Sequence, residues 1–326
     1  MRLALLIPAR ARLPLAIATF CVIWSSAFAV AKLALFDCPP LLLLTARFLL
    51  AGVITLGAAA FAAELRHLTG RDIAGLAALG VLNYALYLGL NYMGMLSISA
   101  GLSALIISAN PVLTALLAAA FLNEPMTWRK AAGLLLGVGG VAFVVGSRVH
   151  TGLSSPVGIA FTLAALLSFV AGTILFKRLA PNGSLWLGNG IQNLAGGLAV
   201  APFAFAFESV GDIVPSTRFL LALGYSVLFV SIGAYLLWFH VLKVSGATTA
   251  SAYHFLMPPL GLFFGWLLLG ERAEAADLIG IVPVALGIYL VTRPARRRGP
   301  WFRIRGVDGT LRPIDAGLQC PSGRVS

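Results

Sequence analysis

Asn83, Tyr87 and Asn91 stand four residues apart, a single stripe along one helix, in a stretch otherwise made largely of Leu, Ala and Gly. Two amides and a phenol in such a setting hydrogen-bond a zwitterion or a hydroxylated solute without rejecting its apolar remainder. The same stripe serves equally well to tie two helices together. Further polar groups sit just ahead of prolines: Ser108 and Asn110 before Pro111, and Ser251, Tyr253 and His254 before Pro258 and Pro259. A proline inside a helix removes one N–H and strains the preceding turn, which frees a carbonyl to find a partner or to line water. These kinks supply the best candidates for a solute site, against the alternative of static bends whose Ser and Asn are satisfied locally. Trp24, Ser25 and Ser26, with Ser168, extend the lining, and Tyr235 with Trp238 provides an aromatic wall or plain packing. Arg47 is the one formal charge plainly inside an apolar run. Its planar fork suits a carboxylate or a phosphate, and it can equally snorkel outward or bond carbonyls between helices.

This set binds; it does not make or break bonds. The four His at 67, 150, 240 and 254 give neither a metal spacing nor a catalytic constellation, no G-x4-G-K-[ST] phosphate loop exists, and Cys21, Cys38 and Cys320 build no framework. The sequence therefore predicts no metal, no cofactor and no enzyme activity. None of the eleven Asp and Glu lies in the middle of an apolar run, so a carboxylate proton relay lacks its acid. His254, with His240 behind it, is the group left to couple a proton, and exchange down a solute gradient is the other route.

The elements that position these residues follow from composition. With 60% hydrophobic and 10% charged residues and a mean hydropathy of +0.95, the chain is built for a bilayer. Apolar runs of spanning length lie at about 13–35, 39–61, 72–93, 97–121, 129–147, 155–177, 184–207, 216–242, 246–270 and 274–292. They are continuous rather than alternating, which reads as helices and not as barrel strands. The Lys and Arg outside the spans fall on the side of the N-terminus except for Arg148, Arg218 and Arg272, so both termini are expected in the cytoplasm. The net charge of +12 does not imply nucleic acid, since half of it lies in the tail from Arg293, where it reads as anchoring to anionic lipid. The expected partners are the bilayer and a small-molecule solute.

A repeat organises the runs. At an offset of 147 residues Pro111 meets Pro258, Glu124 meets Glu271, Gly133 meets Gly280 and Gly140 meets Gly287. More loosely, WSSAFAVAK at 24–32 matches LSFVAGTILFK at 167–177, which also argues that the first helix is retained despite a signal-peptidase-like Ala27-Phe28-Ala29. Five spans per unit is an odd number, so the second unit enters the membrane from the opposite side. The expected fold is thus an all-α polytopic membrane protein of ten transmembrane helices arranged as two inverted five-helix repeats. Its parts are a basic cytoplasmic N-terminus (1–12), the two repeats (13–147 and 148–292) and a basic cytoplasmic tail (293–326). Glu124 and Glu271 each stand just before the next helix, five or ten, and are expected to satisfy its N-terminal N–H groups. Two similar bundles of opposite orientation can alternate a cavity between the two sides of a membrane.

Ten spans in two halves, each closing its fourth helix with P-x12-E and following with a Gly-rich fifth (GLLLGVGGVAFVV at 133–145, GIVPVALGIYLV at 280–291), resemble the EamA-type branch of the drug/metabolite transporter superfamily. The resemblance covers about 13–292. It implies an inner-membrane permease exporting amino acids or related metabolites, with sugar-phosphate, nucleoside or drug-like solutes as the alternative cargo. It also implies a cavity lined by helices one, three, four, six, eight and nine, with five and ten outside.

Overall fold

A computed structural model describes residues 9–62, 68–121, 126–152, 154–179, 184–241, 253, 257–292, 303–305 and 311–313. Up to Thr292 they form one helical unit: α1 (Ala9–Ala34), α2 (Pro40–Phe61), α3 (Gly70–Met95), α4 (Ala100–Phe121), α5 (Trp128–His150), α6 (Pro156–Leu179), α7 (Leu185–Phe207), α8 (Thr217–Val241), α9 (Met257–Leu269) and α10 (Ala275–Thr292). The first eight are long and apolar enough to cross a membrane, and the described parts of α9 and α10 are shorter apolar helices. The start of the run predicted at 246–270 lies outside the described residues, as do Ser251, His254 and Glu124. The tail is a separate unit, in which β1 (Arg303–Arg305) pairs antiparallel with β2 (Leu311–Pro313), Arg303 opposite Pro313.

Helix starts are written in small hydroxyl residues. Thr69, Ser99, Thr127, Ser184 and Ser216 each accept the N–H three residues on, and Thr69 with Asp72 closes a reciprocal capping box. Three of the rods are irregular. Helix α3 widens to π-helical winding over Val81–Leu86, α8 does so over Ser226–Ala234, and α4 is interrupted by a turn at Ser108–Ala109, directly ahead of Pro111. The two π stretches overlap at the same 147-residue offset.

Glycine sets the closest approaches. Where α5 packs on α10, a Cβ on Gly287 would stand 2.5 Å from the Gly133 carbonyl, and one on Gly140 would stand 3.0 Å from the Gly280 carbonyl. The helices run antiparallel, backbone on backbone. Helices α2 and α7 approach in the same antiparallel sense through Gly52 on Leu194, Gly190 on Leu56 and Gly197 on Leu49. Helix α3 packs on α6, α1 on both α8 and α9, and α4 on α6 and α9. Inside the unit lies an aromatic-rich core that includes Trp24, Phe48, Tyr84, Tyr87, Phe169 and Tyr235, whereas Leu135, Phe143, Leu167, Phe205, Leu221 and Leu278 are exposed on its outside. Buried polar groups within an apolar exterior are the arrangement lipid demands.

Candidate functional site

Between α1, α2, α3 and α8 lies a cavity whose space between atoms, its open mouth included, is about 330 Å³. Its walls are Trp24, Phe28 and Ala31 from α1, Tyr87, Asn91, Tyr92 and Met95 from α3, Val230 and Tyr235 from α8, and Arg47 from α2. The rings form one connected cluster: Trp24 lies 5.0 Å from Tyr235 and 6.1 Å from Phe169, Tyr235 lies 4.6 Å from Tyr84, and Phe169 lies 4.5 Å from Tyr87, centroid to centroid.

Arg47 is the eighth residue of α2, about 11 Å along the helix from Pro40 at 1.5 Å per residue. It does not snorkel, being 2% exposed, and it bonds hydroxyls rather than carbonyls. Its Nε donates to Ser231 Oγ at 2.8 Å and its Nη1 to the Tyr92 hydroxyl at 2.6 Å, while Nη2 is buried without a hydrogen-bond partner. Among the described residues no carboxylate bonds to it. The Phe48 ring lies 5.6 Å from the guanidinium carbon. Ser231 is held in turn through its carbonyl, which accepts from Asn189 Nδ2 at 2.9 Å, and Asn189 Oδ1 accepts from the Tyr84 hydroxyl at 2.6 Å. The guanidinium therefore stands at the end of a polar chain through α2, α3, α7 and α8.

The expected stripe on α3 is split by the π stretch. Tyr87 and Asn91 line the cavity, but Asn83 sits inside the widened turn and packs against Gly172 of α6. The extra residue per turn rotates everything before it off the helical stripe. Asn91 is also occupied as helix glue, since its Oδ1 accepts from Ser103 Oγ at 2.7 Å. Ser168 donates to the Leu82 carbonyl at 2.8 Å, a carbonyl that also accepts the Tyr87 N–H within the π stretch, and it does not line the cavity. Ser26 donates to Ile23 O at 3.0 Å and bonds the Tyr225 hydroxyl at 2.7 Å. Ser108 donates to Leu105 O at 2.6 Å and Asn110 Oδ1 accepts from Thr114 Oγ1 at 2.8 Å, so the polar residues of the α4 kink are satisfied locally. Trp238 stacks on Phe20 at 5.5 Å, and the Tyr253 carbonyl accepts from Cys21 Sγ at 3.4 Å. Pro258 and Pro259 fall in the first turn of described α9. Reasoning from sequence passed over Tyr92 and Ser231, the partners of Arg47. Tyr92 lies off the four-residue stripe, and Ser231 is a lone hydroxyl in an apolar run.

Four carboxylates, Asp37, Glu208, Glu271 and Asp277, tie the first five helices to the last five, and all four lie at the end of the unit where α1 ends and α2 begins. Asp37 accepts from Arg218 Nε at 2.8 Å and Nη2 at 2.5 Å, and from Ser216 Oγ at 2.7 Å. Glu208 accepts the Leu41 and Leu42 N–H groups at 3.0 and 2.7 Å, capping α2. Glu271 accepts those of Ala100 and Gly101 at 2.7 and 3.0 Å, capping α4. Arg148 of α5 is ion-paired with the fully buried Asp277 of α10. Glu271 thus does not serve the next helix, α10, as its place in the chain suggested. Asp277 there accepts the Glu274 N–H at 2.8 Å, which leaves Glu271 to reach across to the other half. Beside these ties Lys32 donates to the carbonyls of Met95 and of Ile98, the latter at 2.8 Å. At the opposite end the described acid, Asp72, caps its own helix, and Arg178 reaches the Phe121 carbonyl at 2.7 Å.

The model of the EamA-like transporter family matches the chain twice, over residues 13–146 and 156–293. A protein of Chlamydia trachomatis serovar D named S-adenosylmethionine/S-adenosylhomocysteine transporter is 30% identical over 291 residues, covering 85% of this chain and 88% of that protein. The uncharacterized transporter YoaV of Bacillus subtilis is 26% identical over 299 residues, covering 87% of this chain and 98% of its own. A solved crystal structure with 19% sequence identity superimposes with a TM-score of 0.63 over 89% of this chain and all of its own, a likeness of fold. With two copies of the family's domain filling nearly all of its helical unit, this multi-pass membrane chain belongs to the EamA-like transporter family.

Proposed function

We propose that the chain is a ten-helix inverted repeat that exports small polar or amphipathic metabolites, amino acids first, across the cytoplasmic membrane by alternating access. Both termini lie in the cytoplasm and the tied end faces outward. The observation that carries this reading is the cavity built by α1, α2, α3 and α8, together with an adjacent end closed by four ties that each run between the halves. A cavity between two halves that can separate at one end is what alternation requires.

Reciprocal contacts support the inverted arrangement. Shifted by 147, Gly133 corresponds to Gly280 and Gly140 to Gly287, and the packed pairs are Gly133 with Gly287 and Gly140 with Gly280. Residue i of one copy meets j of the other, and j meets i, which is the signature of a two-fold axis. Helix pairs obey the same exchange: α3 on α6 corresponds to α8 on α1, and α3 on α7 to α8 on α2. Amino acids lead as cargo because the cavity combines one buried cation with aromatic walls and amides. The Chlamydia relative's name adds a second cargo, adenosyl derivatives of amino acids, which carry the same head group on a larger apolar body.

Counterflow in proteoliposomes tests the reading. Vesicles loaded with unlabelled amino acids should accumulate one labelled amino acid from outside, with no requirement for ATP, and the response to a pH gradient distinguishes proton coupling from exchange. Absence of accumulation for amino acids, S-adenosylmethionine and S-adenosylhomocysteine alike overturns it.

A further inference from the structure

We propose that Arg47 is the docking point for a carboxylate on the transported solute, an inference that rests on the transport reading above. A guanidinium cannot shed its proton, so the cavity holds a fixed positive charge. Its two bonded nitrogens are tied to neutral hydroxyls, Ser231 and Tyr92, which fix the plane of the fork without cancelling its charge. Nη2 stays buried and unbonded on a residue that lines the cavity. A buried donor without a partner is costly, and a charged one more so, unless something else completes it. Among the described residues no acid does so, and Lys32 of α1 is committed to the Met95 and Ile98 carbonyls. The partner that fits is therefore an anion brought by the cargo.

The charge is one unit, which matches a carboxylate. A phosphate would leave its second charge unmatched in a medium that solvates it poorly. The orientation is preset by Ser231 and Tyr92, so little side-chain freedom is lost on binding. Trp24, Tyr87 and Tyr235 lie around the same space and take the remainder of the solute. Arg47 thus selects acids over the corresponding amines.

The test uses paired labelled solutes in counterflow with the full-length protein: leucine against isoamylamine, phenylalanine against phenethylamine, and S-adenosylhomocysteine against its decarboxylated amine, with glucose 6-phosphate as the phosphate arm. Wild type should carry at least one acid with about ten- to hundredfold preference over its amine, the range of a charge-assisted hydrogen bond. Arg47→Gln, checked as monodisperse in detergent, should abolish that preference, and Arg47→Lys should keep part of it. The wild-type preference needs no variant to fold, so the proposal stays exposed even where Arg47→Gln does not assemble. Equal transport of acid and amine by wild type, a preference that survives Arg47→Gln, or glucose 6-phosphate outcompeting every acid overturns the carboxylate subsite while transport stands. Transport of none of the solutes overturns the carrier reading and this inference with it.

Discussion

Glu271→Gln tests whether the ties made by Asp37, Glu208 and Glu271 act together. Its carboxylate accepts two N–H groups at the start of α4, at 2.7 and 3.0 Å, where the helix dipole also favours a negative charge. An amide keeps one acceptor oxygen and loses the charge. Loss of a cap with charge-assisted bonds costs about 1–2 kcal/mol, and every 1.4 kcal/mol is tenfold in an equilibrium. If the ties hold one closed end, the population of its opened form should rise about 5- to 30-fold. The reporter is Cys38, which is 4% exposed and whose thiol is pushed up to about 11 by burial, with Glu208 and Asp37 adding to the effect. In a Cys320→Ser background, the rate of Cys38 labelling by an impermeant maleimide should rise by that factor. Glu271 is not among the groups that set the Cys38 thiol, so an increase reports opening rather than a local change in acidity. Glu208→Gln is the companion, because it acts on Cys38 both ways. Faster labelling in Glu208→Gln with no change in Glu271→Gln would refute concerted closure and leave the ties as independent helix caps.

Acid should weaken the Asp37 tie in a defined window. Hydrogen bonds from Arg218 and then Ser216 hold that carboxyl down at about 2, from its usual 3.8, so its contribution is whole above about pH 4 and is lost as pH falls toward 2. The thermal midpoint of wild type should exceed that of Asp37→Asn at pH 6, and the gap should narrow below about pH 4 and close only below about pH 2; a constant gap would refute this. Arg148→Met should lower stability by about 3–5 kcal/mol, because it strands a fully buried Asp277, and Arg148→Met with Asp277→Leu should recover much of the loss in detergent melts. Gly287→Ala should cost about 1–3 kcal/mol by forcing α10 off the Gly133 backbone, whereas Gly139→Ala, with open space beside it, should melt with wild type.

Membrane class and the limits of the first eight helices were legible because a continuous apolar run has few other uses, and the hydroxyl caps at Ser99, Ser184 and Ser216 sit where those runs begin. The glycine pairs were legible as matches at one offset, though not as partners, since sequence spacing does not say which helix a glycine faces. The site was harder to read. The Asn83–Tyr87–Asn91 stripe assumed regular winding, and the π stretch at Val81–Leu86 turned Asn83 away. Arg47 stood out as a charge in an apolar run, but its choice between lipid, carbonyls and cavity depended on Ser231 and Tyr92, which lie 184 and 45 residues away. Proximity along the chain also misled for Glu271, because Asp277 already serves the start of α10.

The contacts differ in how readily they come apart, and that difference bears on which helices can move. A carboxylate capping a helix end, as Glu208 and Glu271 do, returns to water when it lets go, and so do the N–H groups it held. Such a bond is short-ranged, exchangeable and worth only about 1–2 kcal/mol. The α5–α10 contact is of another kind. Gly133, Gly140, Gly280 and Gly287 bring backbone against backbone, and the Arg148–Asp277 pair is buried, so separating these helices strands two charges and gives up that close packing. Neither α5 nor α10 lines the cavity. The cheap ties sit on α2 and α4, the cavity lies among α1, α2, α3 and α8, and the costly contact lies between the two helices outside it. A motion that opens the tied end therefore meets least resistance if α5 and α10 stay paired and the cavity-forming helices rock about them.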